Sequence, residues 1–309
     1  MERLLIALNL GSWKMNITKT NIILWRVVFE PHLLISFLYV VLGVLIAARQ
    51  GIFSLPLFLM TLIGAVVSQI AANTYDEYFD HRIGTDLITE KTPYSGGGRI
   101  IFPGGLAPRD AFILATVALI VSFFFGVYLA IVSGWELIPL FFLGGFAGTF
   151  YSTIWQRNGL GEFMLCVIGL IVMGAYFVQT GYYSVESVAV AIPSGMLIAN
   201  LVIMNEVPDA EADAATGRRN VTTTLGRTNA INAYALIGAV IYIWVVAAAL
   251  LRITPPYTVI SLLSAPLIYS SFLHARRGLG DRPLLIRALR NNIIGMYVFI
   301  ILMVAAYLV

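Results

Sequence analysis

The chain has 309 residues, of which 59% are hydrophobic and only 11% are charged. Soluble domains typically carry about 25% charged residues, so this composition excludes an ordinary soluble fold. The formal net charge of +3 is compatible with nucleic-acid binding, but the cytoplasmic loops of membrane proteins carry the same positive excess and explain it without a further assumption. We therefore predict a multi-pass integral membrane protein with no nucleic-acid partner.

Apolar stretches recur along the chain, and each is long enough to cross a bilayer, which takes about 20 residues per helix. In chain order they cover residues 27–48, 54–75, 111–133, 136–155, 161–181, 186–207, 229–251, 256–274 and 288–309. Helices satisfy their own backbone hydrogen bonds in lipid, and no break between the stretches resembles an interdomain linker. The predicted fold is all-α, with one domain over residues 1–309 that forms a single bundle of about nine transmembrane helices.

The basic residues divide unequally between the two sides that nine crossings define. Of the 19 lysines and arginines, only Arg49 and Arg252 fall on one side of the membrane. The others share the side of the N-terminal segment and of the loops that follow the even-numbered stretches. Because positive residues concentrate in cytoplasmic loops, this side is predicted to be cytoplasmic.

Two acidic motifs lie on the predicted cytoplasmic side, the first at residues 73–86 and the second at residues 205–213. Each places oxygen-bearing side chains on one helix face, where like charges repel unless a cation offsets them. Carboxylate and amide oxygens suit a hard cation such as Mg²⁺. The predicted metal ligands are Asn73, Asp76, Asp80, Asn205, Asp209 and Asp213. The four aspartates among them are the predicted catalytic residues.

Pro208 adds a local expectation to the second motif. A proline inside a helix cannot donate to the carbonyl four residues earlier, so it kinks or breaks the helix. A break beside Asp209 would turn the carboxylate of that residue toward a cavity. We therefore predict that Pro208 kinks or breaks the sixth transmembrane helix near Asp209.

The loop over residues 82–108 mixes charged, glycine and apolar residues. This composition favours a cytoplasmic cap over a polar cavity, with basic side chains reaching a phosphate group. The basic candidates for phosphate contact are Lys91, Arg99, Arg157, Arg218 and Arg219. Each is equally well explained as an ordinary positive residue on the cytoplasmic side.

The helix number and the two motifs together resemble the UbiA superfamily of intramembrane prenyltransferases, over the whole chain. Asp76, Asp80 and Asp86 are similar to the first motif of its menaquinone (vitamin K2) branch, and residues 205–213 match the second motif. Further similarity lies at Tyr151, Arg157, residues 159–162 and residues 220–226. Many members carry Arg-Pro in the first helix, where this chain has Glu30 and Pro31, so any phosphate role of that arginine does not carry over.

The resemblance implies an enzyme that transfers a prenyl group from an allylic polyprenyl diphosphate. In such a reaction two Mg²⁺ ions bind the diphosphate, the allylic C–O bond ionises, and the carbocation alkylates an electron-rich acceptor. For quinone precursors that acceptor is an aromatic ring, and the product leaves between helices into the membrane lipids. The implied substrate-binding residues are Lys91, Arg99, Tyr151, Arg157 and Arg218.

Two alternatives remain open at this stage. The acceptor could be a non-aromatic lipid such as a glycerol phosphate ether lipid. The chain could also be a cation-coupled transporter, because intramembrane carboxylates are typical of transporters too. A transporter would hold its carboxylates near the bilayer midplane, whereas both motifs here lie at predicted helix ends.

Overall fold

The computed structural model describes residues 31–90, 92–95, 100–101 and 105–309, and the description that follows concerns these residues. Its α-helices, in chain order, are α1 Pro31–Ala48, α2 Leu55–Ile83, α3 Thr85–Ile88, α4 Pro108–Ser133, α5 Ile138–Thr149, α6 Gly161–Leu165, α7 Leu170–Thr180, α8 Val185–Ala215, α9 Val221–Leu225, α10 Arg227–Leu250, α11 Ala265–Arg277 and α12 Arg282–Ala306. Short 3₁₀ segments at Trp135–Leu137, Cys166–Gly169 and Pro256–Ser264 extend α5, α7 and α11 at their N-terminal ends. A π-helical turn, Tyr151–Trp155, follows α5.

Seven of the described helices are long and apolar enough to cross a membrane. They are α2, α4, α8, α10 and α12, the unit from α6 to α7, and α11 with its preceding 3₁₀ segment. Two shorter apolar helices cover Leu33–Ala48 and Trp135–Thr149. The all-α membrane fold is thus confirmed, and the number of nine crossings stays a prediction.

Large apolar side chains cover the outside of the bundle. Ile243 is 66% exposed, Leu236 66% and Phe124 65%. In water such a surface would associate or aggregate, whereas lipid tails solvate it without cost. The outward faces of the helices therefore match a lipid environment.

The main apolar core lies between α1, α7, α8, α10 and α12. Tyr39, Tyr176 and Phe299 are at most 1% exposed and belong to one continuous cluster. The Tyr39 hydroxyl donates to the carbonyl of Ser194 at 2.6 Å, which satisfies its polar group inside the core. This core fixes α8 at the centre of the molecule.

The backbones approach closely where α8 crosses the 3₁₀ segment between α6 and α7. A Cβ added at Gly195 would lie 2.9 Å from the carbonyl carbon of Cys166, and one added at Gly169 would lie 2.8 Å from the Cα of Gly195. Real Cβ atoms do not approach other atoms so closely, so both positions require glycine. Small residues of this kind allow close packing of transmembrane helices.

Both helices that carry an acidic motif are longer than predicted. α2 continues to Ile83 and contains Asp76 and Asp80, and the left-handed backbone of Gly84 (φ 90°) ends it. α8 continues through Pro208 to Ala215, so the helix does not break there, and the alternative of a kink stays a prediction.

The helix survives at Pro208 because its surroundings compensate for one missing hydrogen bond. Met204 and Val207 are fully buried, so packing holds the turn that precedes the proline. Arg227 Nε also donates to the carbonyl of Val207 at 3.0 Å. One lost backbone bond is a modest cost when the neighbouring turns are fixed by packing.

Candidate active site

Both acidic motifs line one cavity of about 1110 Å³. Its lining follows α2 from Thr61 to Asp80, which is about 28 Å along the helix axis at 1.5 Å per residue. Apolar residues of α4 between Leu119 and Leu129, and of α5 between Ile138 and Ala147, line much of the rest. The cavity therefore joins a charged region to a long apolar region.

The side chains of the first motif already have protein partners. Asp76 Oδ1 accepts a short hydrogen bond from the Ser152 hydroxyl, and Asn73 Oδ1 accepts one from Gln69 Nε2 at 2.7 Å. Glu77, on the same helix, accepts from the backbone N–H of Ile100 at 2.7 Å. The π-helical turn after α5 thus provides the hydroxyl that orients Asp76, in line with the frequent occurrence of π segments at functional sites.

Arg218 joins the two motifs. Its guanidinium contacts Asp80 of the first motif and lies 3.3 Å from Asp213 Oδ1 of the second. Burial acts to lower the pKa of Arg218, but the carboxylates of Asp80 and Asp76 outweigh it and raise that pKa above its ordinary value. Arg218 is therefore a fixed positive charge between the motifs.

The second motif is less occupied. Asp213 accepts from Arg218 and, at 2.7 Å, from Asn220 Nδ2. In contrast, Asn205 Oδ1 and Asp209 Oδ1 are buried and have no hydrogen-bond partner among the described residues. Buried oxygens without a donor are costly, so these two are available to a ligand or a cation.

A model of the UbiA prenyltransferase family matches residues 36–293. The chain belongs to the UbiA prenyltransferase family. It is therefore an enzyme that transfers a prenyl group, and a multi-pass integral membrane protein. Membership of this family favours the enzyme over the transporter alternative.

Individual relatives agree with this assignment. This UbiA-family chain is 29% identical over 249 residues to the 1,4-dihydroxy-2-naphthoate octaprenyltransferase of Bacillus subtilis, covering 79% of each protein. It is also similar to the apo structure of a UbiA homolog from Aeropyrum pernix K1, with a TM-score of 0.67, 17% identity, and coverage of 87% of this chain and 95% of that one. A UbiA homolog from Archaeoglobus fulgidus bound to DMAPP and Mg²⁺ gives a TM-score of 0.59, 16% identity, and coverage of 93% and 99%. The structural likeness confirms the fold.

Most of the other residues predicted to bind substrate are also placed by the structure. Tyr151 and Arg218 line the cavity. Arg157 and Arg219 are exposed and do not line it. Lys91 and Arg99 lie outside the described residues. The described part of the predicted cap lines the cavity at Thr85, Asp86, Thr89, Tyr94 and Ser95.

Several residues of the site were not predicted from the sequence. Ser152 and Asn220 orient Asp76 and Asp213, and Gln156 and Glu206 line the cavity with oxygens that have no partner among the described residues. Glu162, 5% exposed, accepts from the backbone N–H of Val221 at 2.5 Å. The sequence carried a signal for three of them, because Glu206 lies inside the second motif and Glu162 and Asn220 lie in segments that resemble the family pattern.

The oxygens of this site suit a divalent cation, but two of the aspartates are already paired with Arg218. No three His, Cys, Asp or Glu side chains in the described ranges are arranged to hold an ion as they stand. Arg218 contacts Asp80 and Asp213, so these two carboxylates can share an ion only if Arg218 leaves at least one of them. Charge favours that exchange, because the described cavity lining contains seven acidic side chains and Arg218 as its one basic side chain. Buried carboxylates in this excess need a cation.

Proposed function

We propose that this chain transfers the prenyl group of an allylic polyprenyl diphosphate to an aromatic acceptor within the membrane, in a Mg²⁺-dependent reaction. The cavity carries this proposal, because its lining, about 28 Å long along α2, combines two oxygen-rich motifs with an apolar region. A diphosphate requires the first feature, and a long isoprenoid chain requires the second. The relative named as a naphthoate octaprenyltransferase supports an aromatic acceptor.

The predicted ligands of Mg²⁺ are the oxygens of Asp76, Asp80, Asn205, Asp209 and Asp213, with Asn73 as a further candidate. Bound Mg²⁺ would supply the positive charge that stabilises a departing diphosphate. The A. fulgidus homolog bound to DMAPP and Mg²⁺ supports this choice of metal.

The chain's own residues account for the remaining requirements. Arg218, once released from Asp80, is placed to pair with a phosphate oxygen, which guanidinium groups bind well. The allylic C–O bond breaks with its electron pair leaving on the diphosphate. The π electrons of the acceptor ring then form the new C–C bond, and the ring releases a proton. The apolar lining excludes the water that would otherwise quench the carbocation, and the Tyr151 ring can stabilise its charge.

We also propose that the site faces the cytoplasm, as the distribution of basic residues indicates. Single cysteines introduced near Gly51 and Arg252, in a chain whose Cys166 is replaced, should react with an impermeant reagent from the outside only. Reaction from the cytoplasm at both positions would contradict the proposed topology and the number of crossings.

The function is tested directly with purified protein in lipid nanodiscs. Allylic diphosphates of graded length are combined with hydroxylated aromatic acceptors or a glycerol phosphate ether lipid, with and without Mg²⁺, and products are identified by mass. We expect a prenylated aromatic product only with Mg²⁺. Prenylation of the ether lipid alone would replace the aromatic acceptor, and transfer without any divalent ion would remove the metal from the proposal.

A further inference from the structure

Glu206 is a buried carboxylate to which the proposed reaction has so far assigned no role. It is 6% exposed, lines the cavity, and no N–H or O–H group of the described residues donates to either of its oxygens. Glu162 lies within hydrogen-bond range of it, and Asp213 and Arg218 are further charged groups within electrostatic range. A buried carboxylate whose nearest polar neighbour is a second carboxylate is costly, so a ligand that donates hydrogen bonds would stabilise it.

Gln156 repeats this pattern on the facing segment. It follows the π-helical turn directly, is 5% exposed, and its Oε1 has no donor among the described residues. Gly161 leaves space for it, since a Cβ there would lie 3.2 Å from Gln156 Cγ and 3.5 Å from Tyr151 Cε2. Tyr151 is within electrostatic range of Glu206. Two cavity walls thus present hydrogen-bond acceptors beside one aromatic ring.

The position of Glu206 along α8 indicates which ligand it faces. The cavity lining on this helix runs from Ile198, Leu201 and Val202 through Asn205 and Glu206 to Asp209. Glu206 therefore lies within one turn of the point where the apolar lining gives way to the proposed metal ligands. The reacting allylic carbon must lie near that point, because it links the isoprenoid chain to the diphosphate.

We infer that Glu206 and Gln156 form a subsite that accepts hydrogen bonds from the ring hydroxyls of the aromatic acceptor. This inference rests on the proposed function and specifies its acceptor as a hydroxylated ring. The hydroxyl groups supply the missing donors, and holding them fixes which ring carbon faces the allylic carbon. A site built to bind a hydroxyl also discriminates against an analogue that lacks it, because its own acceptors are then left without a partner.

The same O–H chemistry could come from a water bound to Mg²⁺, so the experiment separates the two sources. We would prepare Glu206→Met, Glu206→Gln and Gln156→Met, with Glu211→Gln as the matched control. Glu211 lies on the same helix, but its side chain is 88% exposed. For each protein three quantities are measured: KM for 1,4-dihydroxynaphthalene, KM for geranyl diphosphate, and the Mg²⁺ concentration at half activity.

We expect Glu206→Met to raise the acceptor KM about tenfold or more, the usual effect of losing a hydrogen bond to a charged group. The KM for geranyl diphosphate and the Mg²⁺ half-saturation should stay within about twofold of the wild-type values. Gln156→Met should act in the same direction, and Glu206→Gln less strongly, because it keeps one acceptor oxygen. The wild-type preference for the diol over 4-methoxy-1-naphthol should shrink in Glu206→Met, an effect that loss of structure alone would not produce.

The outcomes separate this inference from the function on which it rests. A wild-type protein that alkylates no aromatic acceptor overturns the proposed function itself. An active wild type together with unchanged acceptor KM values in the variants overturns the subsite alone. A shift in Mg²⁺ half-saturation or in the diphosphate KM, without one in the acceptor KM, assigns Glu206 to the metal site and also overturns it. If Glu206→Met does not fold, Gln156→Met and Glu206→Gln decide the question.

Discussion

The two acidic motifs differ in how far their oxygen atoms are already engaged. In the first, Ser152 donates to Asp76, Gln69 to Asn73, and Arg218 pairs with Asp80. In the second, Asn205 and Asp209 each keep a buried oxygen that has no partner in the part of the chain that the structure describes. The second motif is therefore prepared for a ligand, whereas the first must exchange partners to accept one.

The difference follows from the neighbours of each helix. The C-terminal half of α2 packs beside the π-helical turn and the 217–220 loop, which bring Ser152 and Arg218 to its carboxylates. At Asn205 and Asp209, α8 faces open cavity instead. The neighbours of each helix therefore account for the contrast between the two motifs.

The largest effect is expected from the aspartates themselves. Replacing Asp76, Asp80, Asp209 or Asp213 by alanine should lower activity at least about a hundredfold, because each removes charge that a metal–diphosphate complex needs. Prenyl transfer and size-exclusion profiles are compared with those of Glu211→Gln. Full activity in two of the four alanine variants would rule out the assignment.

Arg218→Ala tests the link between the motifs. It leaves Asp80 and Asp213 without their buried cation, which typically costs about 3 kcal/mol of stability. The thermal midpoint in detergent should fall, and Mg²⁺ should reverse part of that decrease by binding the carboxylates that Arg218 no longer pairs with. The comparison variant is Arg282→Ala, whose ion pair with Glu90 is exposed and should contribute little. Equal thermal midpoints for both variants would show that Arg218 does not offset the negative charge of the two motifs.

Ser152→Ala tests whether the hydrogen bond from Ser152 to Asp76 prepares the first motif for Mg²⁺. Loss of the hydroxyl that orients Asp76 should weaken the apparent Mg²⁺ affinity about tenfold, as loss of such an orienting partner commonly does. Ser133→Ala is the control, since Ser133 donates to the carbonyl of Val178 away from the motifs. Identical Mg²⁺ titrations for the two variants would remove Ser152 from the site.

The smallest effect is expected from the asparagines, and it addresses the comparison most directly. Asn205→Ala should raise the Mg²⁺ half-saturation by about fivefold, the value of one hydrogen-bond-strength interaction. Asn73→Ala should change it less, because Gln69 already occupies the Asn73 oxygen. A larger effect at Asn73 than at Asn205 would reverse the proposed difference between the motifs.

The sequence was sufficient to predict an all-α membrane bundle and to select the four aspartates that line the cavity. Apolar stretches of about 20 residues leave few alternatives to membrane helices. Asp76, Asp80, Asp209 and Asp213 stand out because carboxylates are rare in such a chain, and their helical spacing places them on shared faces.

The remainder depends on contacts that no local pattern records. Nothing in the sequence distinguishes Ser152 and Gln156 from other polar residues. In the structure, the π-helical turn places Ser152 beside Asp76 and Gln156 in the cavity lining. Glu206 was visible as an acidic residue, but it lies off the stripe formed by Asn205, Asp209 and Asp213. The sequence also could not show that α8 continues through Pro208 without a break, since the burial of Val207 and the contact from Arg227 are tertiary features.

The backbone contact at Gly195 also affects the chemistry from a distance. Asp209 lies 14 residues beyond Gly195 on α8, or about 21 Å along its axis. A change in the tilt of α8 at its contact with Cys166 and Gly169 would therefore displace the carboxylates of the second motif. A displacement of about 1 Å can reduce the rate of a reaction a hundredfold. The position of the carboxylates thus depends in part on two glycines, neither of which lines the cavity.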